Sequence, residues 1–360
     1  MLGPVTSHRS AVTSRFVIVA PNILIVRFSS IGDLILTTPL LRSIRERHPG
    51  ARITFVVRED MADALRHNPR IDDLIAWPRG APLRNLARRL RAERWTHRLD
   101  LHGSLRSRLL RSMVGGRWTS YPKHRIRRNL LIITHGTRGG PLGHVAERYF
   151  AAARQLDVTP DGKAPEFFTS PAAETAAVAF LDRHRLGHGR PIVALAPGAA
   201  HFTKRWPPQH WMALARQLST THDLVIVGGT AERTVADAMV AVAGERAASA
   251  AGQVSLDGTA ALVRRAAALV AGDTGVLHLA TAVGTPVVGL YGPTIEAFGF
   301  FPYASTAITL QHQLACRPCS SQGGPVCPLG HHHCLVKLMP EEVMVAIAAF
   351  GSGPDSCHEP

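Results

Sequence analysis

Short apolar runs alternate with stretches of helical periodicity along the first half of the chain. The apolar runs predict strands at Asn22–Phe28, Ile53–Val57, Leu74–Ala76, Thr96–Leu101 and Arg117–Tyr121. Apolar positions that recur every three or four residues predict helices at Leu34–His48, Ser104–Val114 and Ala146–Leu156. Strands that alternate with helices predict a parallel sheet with crossover helices.

A second alternating series begins after a Pro-, Gly- and Thr-rich linker at Pro160–Pro171 and an alanine-rich helix at Ala172–Leu186. It predicts strands at Ile192–Ala196, Leu224–Val227, Leu269–Ala271 and Pro286–Leu290, and helices at Gln209–Thr220, Ala231–Ala243, Thr259–Ala268 and Val276–Val283. The predicted fold class is therefore α/β, with two tandem Rossmann-like doubly wound domains. Such a pair places a ligand cleft between the carboxyl ends of both sets of strands.

These patterns divide the chain into five predicted segments. They are an N-terminal extension (1–20), an N-terminal domain (21–170), a linker helix (171–190), a C-terminal domain (191–340), and a C-terminal helix and tail (341–360).

Composition narrows the class of protein. The 360 residues are 46% hydrophobic, with a mean hydropathy of +0.04, which is typical of globular chains with ample core. No run approaches the roughly 18 apolar residues that a membrane span requires, and the start lacks a signal-peptide pattern. We therefore expect a cytoplasmic protein whose five cysteines form no disulfides.

The net charge of +15 is confined to the N-terminal half. Residues 1–150 carry 27 basic against 10 acidic side chains, whereas residues 151–360 carry 14 against 16. The density is highest over Arg79–Arg128, which holds 14 arginines. This asymmetry indicates an anionic partner, either a phosphorylated glycolipid, a membrane surface or nucleic acid.

Two further observations bear on that partner. The segment Leu83–Trp95 places Leu83, Leu86, Leu90 and Trp95 near one helical stripe, which suits either a membrane contact or packing on its own domain. A non-enzymatic nucleic-acid-binding module would need aromatic residues among the arginines for base stacking, and residues 79–128 offer only Trp95, Trp118 and Tyr121. We therefore expect no nucleic acid partner.

The most informative loop is Gly272–His278, which follows a predicted strand. The amides of Thr274, Gly275 and Val276 form a free helix N-terminus that suits a pyrophosphate, and His278 lies one turn further on. The alternative is an ordinary Asp/Thr helix cap with a surface histidine.

Three other positions carry candidate chemistry. Lys204, one of only four lysines, follows a strand and suits a phosphate or leaving-group oxygen. Glu232 follows another strand and suits ribose hydroxyls, and Asp33 follows the first strand and suits a general base. The alternatives are a solvated lysine and two carboxylates that stabilise helix N-termini. No dinucleotide or P-loop glycine motif is present.

Five segments in one order carry a resemblance to the bacterial ADP-heptose:lipopolysaccharide heptosyltransferases. They are Ile25–Leu40, Asp100–Arg106, His144–Tyr149, Ala196–Trp211 and Gly272–Thr294. The resemblance covers about residues 22–348 and is strongest to the branch that adds the second heptose. It implies the glycosyltransferase type B fold, with a C-terminal helix that crosses back onto the N-terminal domain. It also implies a peripheral location at the cytoplasmic face of the inner membrane.

The resemblance also implies roles for individual residues. Asp33 would be the catalytic base and Lys204 would contact the donor, with Thr203 as a neighbour. Glu232 would bind ribose, Asp273 would hold sugar hydroxyls, and Thr274, Gly275 and His278 would form the pyrophosphate loop. Ser30, Arg106 and Arg148 would lie on the acceptor side. The implied reaction is an inverting transfer from ADP-heptose to a phosphorylated inner-core glycolipid beside an anionic membrane surface, with no cofactor required for catalysis.

A cysteine cluster near the end remains. Cys316, Cys319, Cys327 and Cys334 have a spacing that predicts a structural zinc or iron site, with reduced, partly buried thiols as the alternative. Cys357 is expected to be a free tail residue.

Overall fold

The computed structural model describes residues 20–351, so the predicted extension at 1–20, apart from residue 20, and Cys357 lie outside the described residues. The strands are β1 (Asn22–Val26), β2 (Arg52–Arg58), β3 (Asp73–Trp77), β4 (His97–Asp100), β5 (Thr119–Ser120), β6 (Ile192–Ala196), β7 (Asp223–Ile226), β8 (Ala247–Ser249), β9 (Ala268–Gly272), β10 (Val287–Leu290) and β11 (Ala307–Leu310).

The helices enclose these strands. They are α1 (Ile31–Ile35), α2 (Thr38–Arg47), α3 (Leu83–Arg91), α4 (Leu105–Val114), α5 (Arg125–Ile133), α6 (Val145–Arg148), α7 (Pro171–Arg183), α8 (Pro208–Leu218), α9 (Arg233–Ala243), α10 (Leu256–Arg264), α11 (Gly275–Ala282), α12 (His333–Val336) and α13 (Pro340–Gly351). Among residues 20–351 no helix is both long and apolar enough to cross a lipid bilayer.

The strands form two parallel sheets, which confirms the predicted fold class. The first has the order β3-β2-β1-β4-β5, and the second has the order β11-β10-β9-β6-β7-β8. In each sheet the early strands are added on one side of the first strand and the later strands on its other side. This switch point lies between β1 and β4 in the first sheet and between β6 and β9 in the second. Doubly wound sheets bind ligands at the carboxyl ends of the strands at such switch points.

Each sheet is covered on both faces by apolar side chains, as parallel sheets require. In the first sheet Ile23 and Ile25 face one core and Leu24 and Val26 face the other, in the alternation of a strand. The second sheet alternates likewise, with Val193 and Leu195 facing one core and Ala194 and Ala196 the other. The helix α7, predicted as a linker, packs against α10 and contributes to the core of the second sheet.

The predicted helix Leu34–His48 is divided into α1 and α2. Pro39 has no N–H to donate to the Ile35 carbonyl, which instead accepts a hydrogen bond from the Thr38 hydroxyl at 2.7 Å. The break leaves α1 as a short helix directly after β1, with its N-terminus at the cleft.

The stripe on Leu83–Trp95 does not face solvent. Leu86, Leu90 and Trp95 are buried and pack with Ile75 and Trp77 in the core of the first sheet. The hypothesis that this stripe contacts a membrane is wrong, because its apolar surface is already covered by its own domain.

The C-terminal helix α13 also differs from expectation. It packs against α8, and Val343, Ala346 and Ile347 are buried in the core of the second sheet. Within the described residues this helix belongs to the C-terminal domain and does not cross back onto the N-terminal domain, since its apolar face is already covered there.

Candidate active site

A cleft of about 640 Å³ lies between the two sheets. Its walls come from the loops that follow β1, β4 and β5 on one side and β6, β9 and β10 on the other. The predicted residues that line it are Ser30, Asp33, Arg148, Lys204, Asp273, Thr274, Gly275 and His278. Residues 240 positions apart in the chain therefore share one site.

Asp33 is held through one of its two carboxylate oxygens. Its Oδ2 atom lies 2.6 Å from Arg27 Nη2 and accepts a hydrogen bond of 2.8 Å from the Ser30 hydroxyl. The other oxygen, Oδ1, has a longer contact of 3.4 Å from the Tyr149 hydroxyl. The Asp33 side chain is 20% exposed and lines the cleft, and the weakly held Oδ1 has capacity to accept a proton.

The environment of Asp33 keeps it ionised. Burial opposes its charge, but Arg27 and the hydrogen bonds from Ser30 outweigh burial and hold the pKa of Asp33 below its usual value. Burial raises the pKa of Tyr149 well above its usual value, so this residue remains a neutral donor. Arg27 was missed by the motif analysis, although an arginine inside an apolar strand is itself a signal, because a buried charge requires a partner.

On the opposite wall, Lys204 and Asp273 form an ion pair. Lys204 Nζ lies 2.7 Å from Asp273 Oδ2, which also accepts a hydrogen bond of 2.8 Å from Thr294 Oγ1. Both members are largely buried, at 14% and 9% exposure. The pair fixes the ammonium at the cleft wall, where it can meet the oxygen of a phosphate.

The N-terminus of α11 opens into the same cleft. Thr274 is the N-cap of α11 and has an extended backbone. The amides of the first helical turn have no carbonyl partner within the helix and are directed out of its N-terminus. Within the part of the chain that the structure describes, Thr274 Oγ1 and His278 Nδ1 are buried polar atoms without a hydrogen-bond partner. Burial lowers the pKa of His278, which is therefore neutral near pH 7. Amides, a hydroxyl and a neutral imidazole without partners together suit a phosphate ligand.

The two walls touch at α1 and α11. A Cβ atom on Gly32 would lie 2.7 Å from His278 Cδ2, and one on Gly275 would lie 3.2 Å from the Gly32 nitrogen. The glycines allow the two helix N-termini to approach at backbone distance. Asp33 therefore sits next to the N-terminus of α11.

The N-terminal wall is strongly cationic. Lys123, Arg125, Arg128 and Arg148 line it together with His102. Burial, followed by repulsion from Arg27 and Arg125, lowers the pKa of Lys123 to about 8. Burial and the neighbouring cations lower the pKa of His102 to about 4. Lys123, Arg125 and Arg128 lie outside the segments that carry the resemblance, and His102 lies within one of them without an assigned role.

Three predicted site residues do not line the cleft. Thr203 is buried and its hydroxyl bonds the backbone of Gly324, so it supports a loop. Arg106 lies over the ring of Trp77. Glu232 accepts a hydrogen bond of 2.8 Å from the amide of Gly229 and packs against Gly198, at the ends of β6 and β7 beside the cleft.

The four cysteines of the predicted cluster lie near the end of the C-terminal domain. Among residues 20–351, no three His, Cys, Asp or Glu side chains are arranged to hold a metal ion, and the structural metal at Cys316, Cys319, Cys327 and Cys334 stays a prediction. The buried Arg317 guanidinium lies close to these thiols, and burial raises the pKa of Cys334 to about 11.

The geometry supports group transfer between an anionic donor and a hydroxyl. A carboxylate on one wall accepts a proton, and phosphate-binding groups on the other stabilise a departing anion.

The chain is similar to known glycosyltransferases. Residues 83–329 match the sequence profile of glycosyltransferase family 9 (heptosyltransferase). Lipopolysaccharide heptosyltransferase 1 of Pseudomonas aeruginosa is 27% identical over 93% of this chain and 99% of its own length. Lipopolysaccharide heptosyltransferase 2 of Escherichia coli K12 is 26% identical over 77% of this chain and 84% of its own length. These identities do not separate the two branches.

Solved structures share the fold. A family 9 glycosyl transferase of Veillonella parvula superposes with a TM-score of 0.77 at 23% identity, covering 92% of this chain and 97% of that chain. The ADP-heptose lipopolysaccharide heptosyltransferase II of E. coli superposes with a TM-score of 0.70 at 23% identity, covering 91% and 98%.

Proposed function

This chain belongs to glycosyltransferase family 9, and on that premise we propose that it transfers a heptose from ADP-heptose to the phosphorylated inner core of lipopolysaccharide. A relative named as a lipopolysaccharide heptosyltransferase matches 93% of this chain. The observation that carries the proposal is that one cleft joins Asp33 with the Lys204–Asp273 pair and the N-terminus of α11.

The proposed reaction is a single displacement. An acceptor hydroxyl gives its proton to Asp33 Oδ1 as its oxygen bonds to the anomeric carbon of the heptose, while the bond from that carbon to the diphosphate breaks. The attack from the face opposite the leaving group inverts the anomeric configuration. Arg27 and Ser30 hold Oδ2, so we assign the proton to Oδ1, which has only the longer contact from Tyr149.

The departing ADP carries new negative charge on its diphosphate. We assign its stabilisation to the amides at the start of α11, to Thr274 and to Lys204, which are fixed before the reaction begins. Glu232 holds the amide of Gly229 in the loop after β7, and we retain it as the proposed ribose ligand.

The cationic wall suits the acceptor. Lys123, Arg125, Arg128 and Arg148 line the cleft together with Asp33. Guanidinium groups bind phosphate and carboxylate in bidentate fashion, so this wall would hold the anionic groups of a phosphorylated glycolipid. We therefore place the enzyme at the cytoplasmic face of the inner membrane.

The test is mass spectrometry of transfer from a panel of nucleotide sugars to heptose-deficient core lipids. We expect transfer of heptose from ADP-heptose. Transfer only from a different nucleotide sugar, or only to a different acceptor, would replace the donor or acceptor assignment.

Asp33→Asn tests the mechanism in the same assay. It should keep donor binding and lower kcat by about 10²–10⁴, because the amide cannot take the proton. Asp237→Asn, at an exposed position on α9, is the matched control and should behave as wild type. Unchanged turnover in Asp33→Asn would remove this residue from the mechanism.

A further inference from the structure

Exposed large apolar residues are concentrated on α4 and α5. Leu105 and Leu109 on α4 are 84% and 49% exposed, and Ile126 and Ile133 on α5 are 86% and 75% exposed, with Leu130 between them. The spacing of four residues on α4, and of four and seven on α5, places each set on one helix face. We call these five side chains the α4–α5 face.

The two helices are joined where they begin. Arg125 Nη2 donates a hydrogen bond of 3.2 Å to the carbonyl of Gly103, two residues before α4. The other side of α5 is fixed, since Leu131 is buried with Leu142 and Phe298. The exposed face of α5 therefore points away from the protein body and cannot turn inward.

The surroundings of this face are cationic throughout. Residues 101–146 contain eight arginines and one lysine, and no aspartate or glutamate. Arg108, Arg117 and Arg127 are exposed beside the apolar residues. A partner that covers both kinds of group must be anionic and must accept aliphatic side chains, which describes an anionic lipid bilayer.

We propose that the α4–α5 face is the surface by which the protein sits on an anionic bilayer, with its leucines and isoleucines inserted at the level of the headgroups. The inference rests on the proposed function, because only a membrane-borne acceptor requires such a surface. Arg125 and Arg128 of α5 also line the cleft, so a protein seated on this face presents its acceptor wall to the bilayer.

The test is co-sedimentation with vesicles of phosphatidylcholine containing phosphatidylglycerol, at several salt concentrations. The wild type should bind these vesicles, lose binding as salt screens the charge, and bind pure phosphatidylcholine weakly. Leu105→Ser/Leu109→Ser and Ile126→Ser/Ile133→Ser should each lower partitioning about tenfold or more. Arg108→Gln should lower it about fivefold.

Val345→Ser is the matched control, because Val345 is 72% exposed on α13, in the other domain. It should bind vesicles as wild type does. All substituted side chains are exposed, so the melting temperature should not change. Equal losses in Val345→Ser, or no loss in either pair, would overturn the proposal. Concentration-dependent self-association lost in the pairs, or retention on nucleic acid without vesicle binding, would overturn it in favour of a second copy or nucleic acid.

Transfer assays separate this proposal from the proposed function. The variants should retain kcat/KM on a deacylated, water-soluble acceptor and lose it on the same acceptor embedded in vesicles. Vesicle binding without heptosyl transfer would reject the function and keep the surface. Transfer to both acceptors without vesicle binding would reject the surface and keep the function.

Discussion

Lys204 and Asp273 depend on each other at the residue scale. Each is the charged partner of the other at 2.7 Å, in a wall that excludes most water. An incoming phosphate would bind the ammonium from the open side while Asp273 continues to position it. The ion pair thus prepares the cation for an anion that arrives later, without a change in rotamer.

Lys204→Ala should therefore affect both binding and rate. The donor loses a charged contact and the leaving group loses stabilisation, so we expect kcat/KM to fall about 10²–10³-fold. Steady-state kinetics with donor titration would measure it. Lys337→Ala, at an exposed lysine of the same domain, is the control. Equal kinetics in the two variants would contradict the assignment.

The proposed role of Lys123 in holding the acceptor predicts that acceptor binding is sensitive to alkaline pH. Its pKa of about 8 means that the ammonium is present at pH 7 and is lost as the pH rises through 8. The kcat/KM for an anionic acceptor should fall above pH 8, while kcat changes less because a bound anion raises the pKa of the lysine.

Lys123→Arg isolates this effect, since arginine does not titrate in the range. The variant should flatten the fall in kcat/KM between pH 7.5 and about 9. An alkaline fall of the same size in wild type and variant would assign the titration to another group.

Candidate functional residues at the ends of strands could be predicted from the sequence, whereas contacts between residues around the cleft could not. Asp33, Lys204, Asp273 and His278 were identified because each follows a predicted strand. Lys123 lies outside the segments that carry the resemblance, and Tyr149 ends one of them without an assigned role; only the fold brings both residues beside Asp33.

At the scale of elements, the contact between α1 and α11 determines how closely base and phosphate site approach. Gly32→Ala would add a methyl group 2.7 Å from His278 Cδ2 and 3.4 Å from Gly275 Cα. Either the buried His278 ring or the two helices must then shift by several tenths of an ångström. Because reacting groups tolerate little displacement, kcat should fall at least about tenfold.

Gly50→Ala is the control, because its added methyl group would meet its nearest neighbour at an ordinary 3.6 Å. Kinetics and melting curves of both variants would make the comparison. A large loss of stability in Gly32→Ala, with kcat unchanged in the folded fraction, would make the contact structural only.

Strands and helices with a strong hydrophobic pattern were predicted well. Those that were missed lack such a pattern for physical reasons. The strand Ile192–Ala196 was predicted with its observed bounds because it is a continuous buried apolar run. The short edge strands β8 and β11 were missed, since alanine, serine and half-buried positions give little strand signal. The helix α5 was missed because its N-cap, His124, lacks a capping side chain and its apolar residues face outward.

At the scale of the whole molecule, the domains share side chains. Tyr303 comes from the second half of the chain but is buried in the core of the first sheet. Its ring stacks on His144 at 4.5 Å, and its hydroxyl donates to Glu147. The two tandem domains could be predicted from the alternation of strands and helices alone. The packing of Tyr303 in the other domain could not, because no sequence pattern marks such a residue.

Tyr303→Ala should destabilise the N-terminal domain, by about 3–5 kcal/mol as for other large-to-small core changes. Hydrogen exchange would show lost protection around residues 144–156 with protection around β6 and β9 retained. Tyr303→Phe keeps the ring and should restore most of it. A uniform loss across both sheets would contradict a local role.

The same crossing of side chains limits how these enzymes can be recombined. The amides of Leu142 and Val145 bond the carbonyls of Ala297 and Gly299, each at 2.9 Å, and Gly299 leaves no room for a side chain against Gly143. A chimera that joins the N-terminal domain of one protein to the C-terminal domain of another at the linker would separate segments that pack against each other. A functional chimera must take residues 295–303 from the same protein as its N-terminal domain, although these residues lie in the C-terminal half of the sequence.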